Sequence, residues 1–69
     1  ELLSEREVEI LLLICQQLTT DEIAAQLFIS PLTVKRHRQN LLDKTNSKNI
    51  VGLILYAIRN DLLDAATIK

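Results

Sequence analysis

Only Phe28 and Ile29 separate the end of one helical pattern from the start signal of the next, and that short gap restricts the fold more than any other feature of the chain. Upstream, Thr19 to Glu22 (TTDE) has the spacing of a capping box, in which hydroxyl and carboxylate each satisfy a backbone N–H of the first turn. The segment continues as a short helix with Ile23, Ala24 and Leu27 at core spacing, and Ala24 and Ala25 permit close helix approach. Downstream, Ser30 is a good N-cap and Pro31 suits the first helical position, where the N–H has no partner anyway. Two helices joined by a turn of about three to four residues form a helix-turn-helix.

The helix that starts at Pro31 runs without a breaker to about Thr45, and its two faces differ. At about 100° per residue, Val34, Leu41 and Thr45 fall on one side with Leu42 nearby. Leu32, Arg36, Gln39 and Asp43 fall on the other, flanked by Thr33, Lys35 and Asn40. The first face packs. The second offers Lys, Arg, Gln and Asn, the side chains that hydrogen-bond base edges in a major groove and oxygens of the phosphate backbone, so double-stranded DNA is the leading partner. A basic amphipathic helix is also commonly a core helix with a solvated face, so the rest of the chain must decide.

That rest is helical. Ser4 to Glu7 (SERE) is a second capping box, opening a first helix to about residue 17. Val8, Ile10, Leu11, Leu12, Leu13 and Ile14 make this helix apolar over much of its circumference, so periodicity does not choose its inner face. After Lys44 the run TNSKN breaks the helix: Asn46 tolerates the left-handed conformation, and Asn49 can cap a last helix over about 50–60. In that helix Ile50, Leu53, Ile54 and Ala57 form one apolar stripe. Val51, Leu55 and Ile58 form another beside it, either a dimer surface or an extension of the core. Asn60 and Asp61 end the helix, and 64–69 read as a frayed tail. The expected fold is all-α: four helices, about 5–17, 20–27, 31–45 and 50–60, in one domain over 1–63.

With 69 residues and a single Gly and Pro, the chain is ordered and helical, and too small to enclose a substrate pocket. It lacks a Gly-rich phosphate loop and a Cys/His cluster, so neither an enzyme nor a metal or cofactor protein is expected. Cys15 is alone and reads as a small apolar filler; together with the lack of a signal peptide or a membrane-length apolar run, it points to the cytoplasm. His37 flanks the packing face and reads as a structural, hydrogen-bonded histidine. The chain opens within a helix-start signal, as a piece of a longer protein would.

A net charge of −1 conceals a strong asymmetry. Up to residue 30, Arg6 stands against Glu1, Glu5, Glu7, Glu9, Asp21 and Glu22; over 31–48, Lys35, Arg36, Arg38, Lys44 and Lys48 stand against Asp43 alone. One basic element in an otherwise acidic chain suits presentation to a polyanion without indiscriminate binding.

Taken together, LSEREVEIL, TTDEIAAQLFIS, TVKRHRQNLLDK and the last helix resemble the DNA-binding domain of LuxR/NarL/FixJ-type bacterial transcription regulators, over about residues 3–63. The resemblance implies a four-helix output domain whose third helix enters the major groove, and whose fourth commonly mediates dimer contact on DNA. Carried over to matching positions, it implies base contacts from Lys35, Arg36 and Gln39 and backbone contacts from Thr33, Asn40, Lys44 and Lys48. It implies a homodimer through the fourth helix, for which Val51, Leu55 and Ile58 are the candidate contacts if they do not extend the core, and an upstream receiver or sensor domain. It also turns Ile10, Leu11, Ile14 and Leu18 inward and leaves Val8 and Leu12 exposed, as a surface for that regulatory domain. The rival is a protein–protein adaptor that uses the fourth helix and this exposed pair.

Six positions depart from the family pattern. Gln17 stands where Gly is usual, so either it takes a left-handed geometry or the turn differs. Thr45, Asn46 and Ser47 replace an apolar-Gly-apolar run, which weakens the packing expected between the third and fourth helices, and Ile50 replaces a frequent Arg. Arg38 stands where an aliphatic residue is common, and is expected to reach a phosphate or an acid from the core edge.

Overall fold

A computed structural model describes residues 3–63, with helices α1 (Glu5–Cys15), α2 (Thr20–Leu27), α3 (Pro31–Lys44) and α4 (Ile50–Arg59) and no strand among the described residues. The tail expected to fray, 64–69, lies outside them. Each start follows from its cap. Ser4 Oγ accepts the Glu7 N–H at 3.1 Å while Glu7 Oε1 accepts the Ser4 N–H at 2.8 Å. Thr19 and Glu22 repeat the exchange at the same two distances. Ser30 Oγ takes the Thr33 N–H at 3.1 Å, and Asn49 Oδ1 takes the Gly52 N–H at 3.2 Å.

The four ends share one solution. Gln17, Phe28, Asn46 and Asp61 all have φ between 54° and 67°, and none of them is glycine. At each, the next N–H returns to the carbonyl five residues back: Leu18 to Leu13 at 3.3 Å, Ile29 to Ala24 at 3.0 Å, Ser47 to Leu42 at 2.9 Å, and Leu62 to Ala57 at 2.8 Å. These bonds satisfy carbonyls that a helix end would otherwise leave without partners. Asn46 thus does what was expected. Gln17 takes the left-handed option, and α1 stops at Cys15, two residues short of the expected end, to make room for that turn.

The core is aliphatic. Ile10, Leu11, Ile23, Val34, Leu41, Leu53 and Ala57 have no exposed surface, and Leu13, Ile14, Cys15 and Ala24 are buried beside them. Ile10, Leu11 and Ile14 therefore point inward as expected, whereas Leu18 packs half-buried at the core's edge. Val8 and Leu12 are not exposed: both are half-buried. The reason is that α1 packs against α2, α3 and α4, so little of its circumference reaches solvent. Val8 lines a cleft of about 210 Å³ with Leu3, Tyr56, Asn60 and Leu62, so this residue belongs to the α1–α4 seam. The adaptor reading loses its helix 1 half.

The α3–α4 junction is held by polar contacts where apolar ones were missing. Thr45 Oγ1 bonds the Leu41 carbonyl at 2.7 Å and lies 2.6 Å from Ser47 Oγ. Gly52 lets α4 close onto that turn, since a Cβ there would lie 2.8 Å from Ser47 Cβ. In α4, Leu53 and Ala57 are buried and Ile54 half-buried, but Ile50 is 40% exposed: as the first residue of the helix it overhangs the core instead of completing the stripe.

Candidate nucleic-acid interface

Helix α3 is fixed by its inner face and by two polar ties to distant parts of the chain. Val34 and Leu41 are fully buried in the core. Arg38 is half-buried, and its Nη2 donates to Thr20 Oγ1 at 3.1 Å at the start of α2. Among the described residues it therefore meets a hydroxyl and not the acid expected, and it links the two helices of the helix-turn-helix, with its Nε enclosed and unpartnered. His37 is half-buried as expected of a structural residue, but its Nδ1 is enclosed and has no hydrogen-bond partner, contrary to the bonded state expected.

The second tie joins α3 to α1. Lys44 Nζ lies 2.9 Å from Glu7 Oε1, and the Glu7 side chain is 5% exposed against 31% for that of Lys44. The Ser4 N–H, together with the Lys44 ammonium, holds the Glu7 carboxyl below its ordinary pKa despite burial. One carboxylate thus serves both the cap of α1 and the anchorage of the last turn of α3. Its capping part was legible in SERE; its pairing with a residue 37 positions away had no local signal.

The outer face carries the residues singled out in the sequence. Lys35, Arg36, Gln39 and Asn40 are exposed together on α3, and Leu32 joins them at 70% exposure. Gln39 Nε2 donates to Asp43 Oδ1 at 3.1 Å, which orients its amide along the same face. Thr33 is half-buried, its Oγ1 2.8 Å from Ser30 Oγ at the N-terminal end of α3. Lys48 is exposed in the following turn. The candidate base readers and Asn40 thus share one solvent-facing surface, whereas Lys44 stands apart through its pairing with Glu7. On α4, Val51 and Leu55 are 62% and 45% exposed and Ile58 is half-buried.

This arrangement can donate hydrogen bonds from Lys35 and Arg36, and both donate and accept through the Gln39 amide, along a helix whose direction is set by α1 and α2. Among the described residues, no helix is long and apolar enough to cross a membrane.

Residues 1–57 match the family model described as bacterial regulatory proteins, luxR family. The chain is 43% identical over 63 residues to the oxygen regulatory protein NreC of Staphylococcus carnosus (strain TM300), covering 91% of this chain and 29% of that protein. It is 40% identical over 63 residues to the response regulator protein VraR of Staphylococcus aureus (strain Mu3), covering 91% and 30%. Among solved structures, the response regulator ChrA of a heme-sensing two-component system superposes with a TM-score of 0.83 at 38% identity, over 91% of this chain and 31% of that one. The chain spans less than a third of the length of these relatives. With the family match covering most of its length and the helix-turn-helix in place, the chain belongs to the luxR family of bacterial regulatory proteins, as a DNA-binding output domain of a transcription regulator.

Proposed function

We propose that the domain, spanning residues 1–63, binds double-stranded DNA sequence-specifically, with α3 in the major groove and Lys35, Arg36 and Gln39 at base edges. Thr33, Asn40, Lys44 and Lys48 then meet the phosphate backbone. The observation that carries this reading is the shared exposure of Lys35, Arg36 and Gln39 on a helix whose other side is locked into the core. The domain acts as a binding module, not an enzyme, and needs no cofactor. It works in the cytoplasm as a homodimer through Val51, Leu55 and Ile58, because a single helix in one groove gives little affinity and paired half-sites double the contact. The response-regulator names of its relatives support control by an upstream receiver domain, which sets whether two copies meet on DNA.

The test is selection of bound duplexes from a random pool with a deliberately dimerised form of the domain, repeated with Arg36 and Gln39 changed to Ala. A repeated half-site should emerge, and each truncation should cost about 1–3 kcal/mol on it while relaxing base preference. Affinity should fall with log salt at a slope of about −0.9 per phosphate contact. If no sequence is enriched at low salt, the groove-reading assignment is wrong.

A further inference from the structure

The outward stripe of α3 contains one residue that cannot hydrogen-bond a base. Leu32 is 70% exposed and lies on the same stripe as Arg36 and Gln39, four and seven residues on. Single exposed leucines are common on protein surfaces, so exposure alone assigns nothing. Phe28 is more exposed still, at 94%, but it belongs to the turn before α3 and stands outside the helix's register. Leu32 differs because its position is continuous with the base-reading surface and falls at the N-terminal end of the helix, the end that approaches base edges in helix-turn-helix proteins.

An apolar side chain in a major groove has one favourable counterpart among the four bases, the C5-methyl group of thymine. We propose that Leu32 is a specificity residue that reads this methyl group, an inference that rests on the placement of α3 in the groove. Four residues of helix advance about 6 Å along the axis, against a base-pair rise of about 3.4 Å. The thymine therefore lies within about two base pairs of the pair read by Arg36. Arg36 and Gln39 supply polar discrimination, and Leu32 adds a contact that distinguishes thymine from cytosine by shape and hydration.

Uracil provides the decisive probe, since it keeps the hydrogen-bonding edge of thymine and lacks only the methyl. After selection with the 69-residue chain, each thymine of the enriched duplex is replaced in turn by uracil, and affinity is measured by fluorescence anisotropy for the wild-type chain and for Leu32→Ser. Removing one buried methyl should weaken wild-type binding about fourfold at one position per half-site. The Leu32→Ser chain, whose fold is checked by circular dichroism and is unloaded at so exposed a site, should bind thymine and uracil duplexes equally at that position. The proposal is overturned if no thymine-to-uracil change affects the wild type, if Leu32→Ser retains the discrimination, or if it weakens both duplexes alike. Failure of the groove placement itself looks different: no sequence is then enriched, and the proposal falls with it.

Discussion

Replacing Lys44 by Met should cost the domain stability through a carboxylate 37 residues away. In the native fold Glu7 Oε1 receives the Ser4 N–H at 2.8 Å and the Lys44 ammonium at 2.9 Å, inside a site where the Glu7 side chain is 5% exposed. Lys44→Met keeps the aliphatic stem and removes the cation, so an ionised carboxylate stays buried with the Ser4 N–H still donating to it. Breaking a fully buried pair costs about 3–5 kcal/mol. Here one partner's side chain is 31% exposed and water reaches its end of the pair, which lowers the expectation to about 1–3 kcal/mol. Glu7→Gln should cost less, because the amide oxygen still caps Ser4 and Lys44 can turn to solvent. The double variant should lose clearly less than the sum of the two single losses, because both remove the same ion pair.

The pH dependence supplies an independent check. The Ser4 N–H and Lys44 hold the Glu7 carboxyl below its ordinary value of 4.5, so the unfolded chain binds this proton more readily than the folded one. The associated stability is present above 4.5 and is lost as pH falls through the lower folded value. Lys44→Met should flatten that acid limb without abolishing it, since the Ser4 N–H remains. Urea unfolding followed by circular dichroism between neutral and acid pH measures both effects. A Lys44→Met chain within about 0.5 kcal/mol of wild type at neutral pH, with an unchanged acid limb, would refute the reasoning.

Two further outcomes follow from backbone geometry. Gln17→Gly removes a left-handed strain at φ 67° and should stabilise the domain by about 0.5–1 kcal/mol, seen as a higher midpoint in thermal unfolding. An unchanged or lower midpoint would mean that the Gln17 side chain contributes more than the strain costs. Gly52→Ala places a Cβ 2.8 Å from Ser47 Cβ and should destabilise by about 1–3 kcal/mol, a loss that Ser47→Gly should largely relieve in the double variant. Equal losses in the single and double variants would show that close approach to Ser47 is not the cause.

Local chemistry made the helix starts legible. SERE, TTDE and SP each encode their cap within four residues, and all three caps formed where they were read. The polar outer face of α3 was equally accessible, because a 3.6-residue period needs no knowledge of neighbours. What depended on packing partners was not readable. Val8 and Leu12 were assigned outward, but an apolar helix surrounded by three others has little outside. Arg38 found Thr20 18 residues away, an interaction with no pattern along the chain. Lys44 read as one more cation of a basic helix, and only the fold brings it to the acid of the first cap.

The four glycine-free helix ends have a mechanical meaning. A glycine at such a joint ranges widely at positive φ, whereas a residue with a Cβ is confined there to one small left-handed well. Gln17, Phe28, Asn46 and Asp61 therefore make stiff corners, and the angle at which α3 leaves the rest of the domain is built in. The direction of α3 is thus written into its flanking turns, at Phe28 before it and Asn46 after it, as much as into the core it packs on.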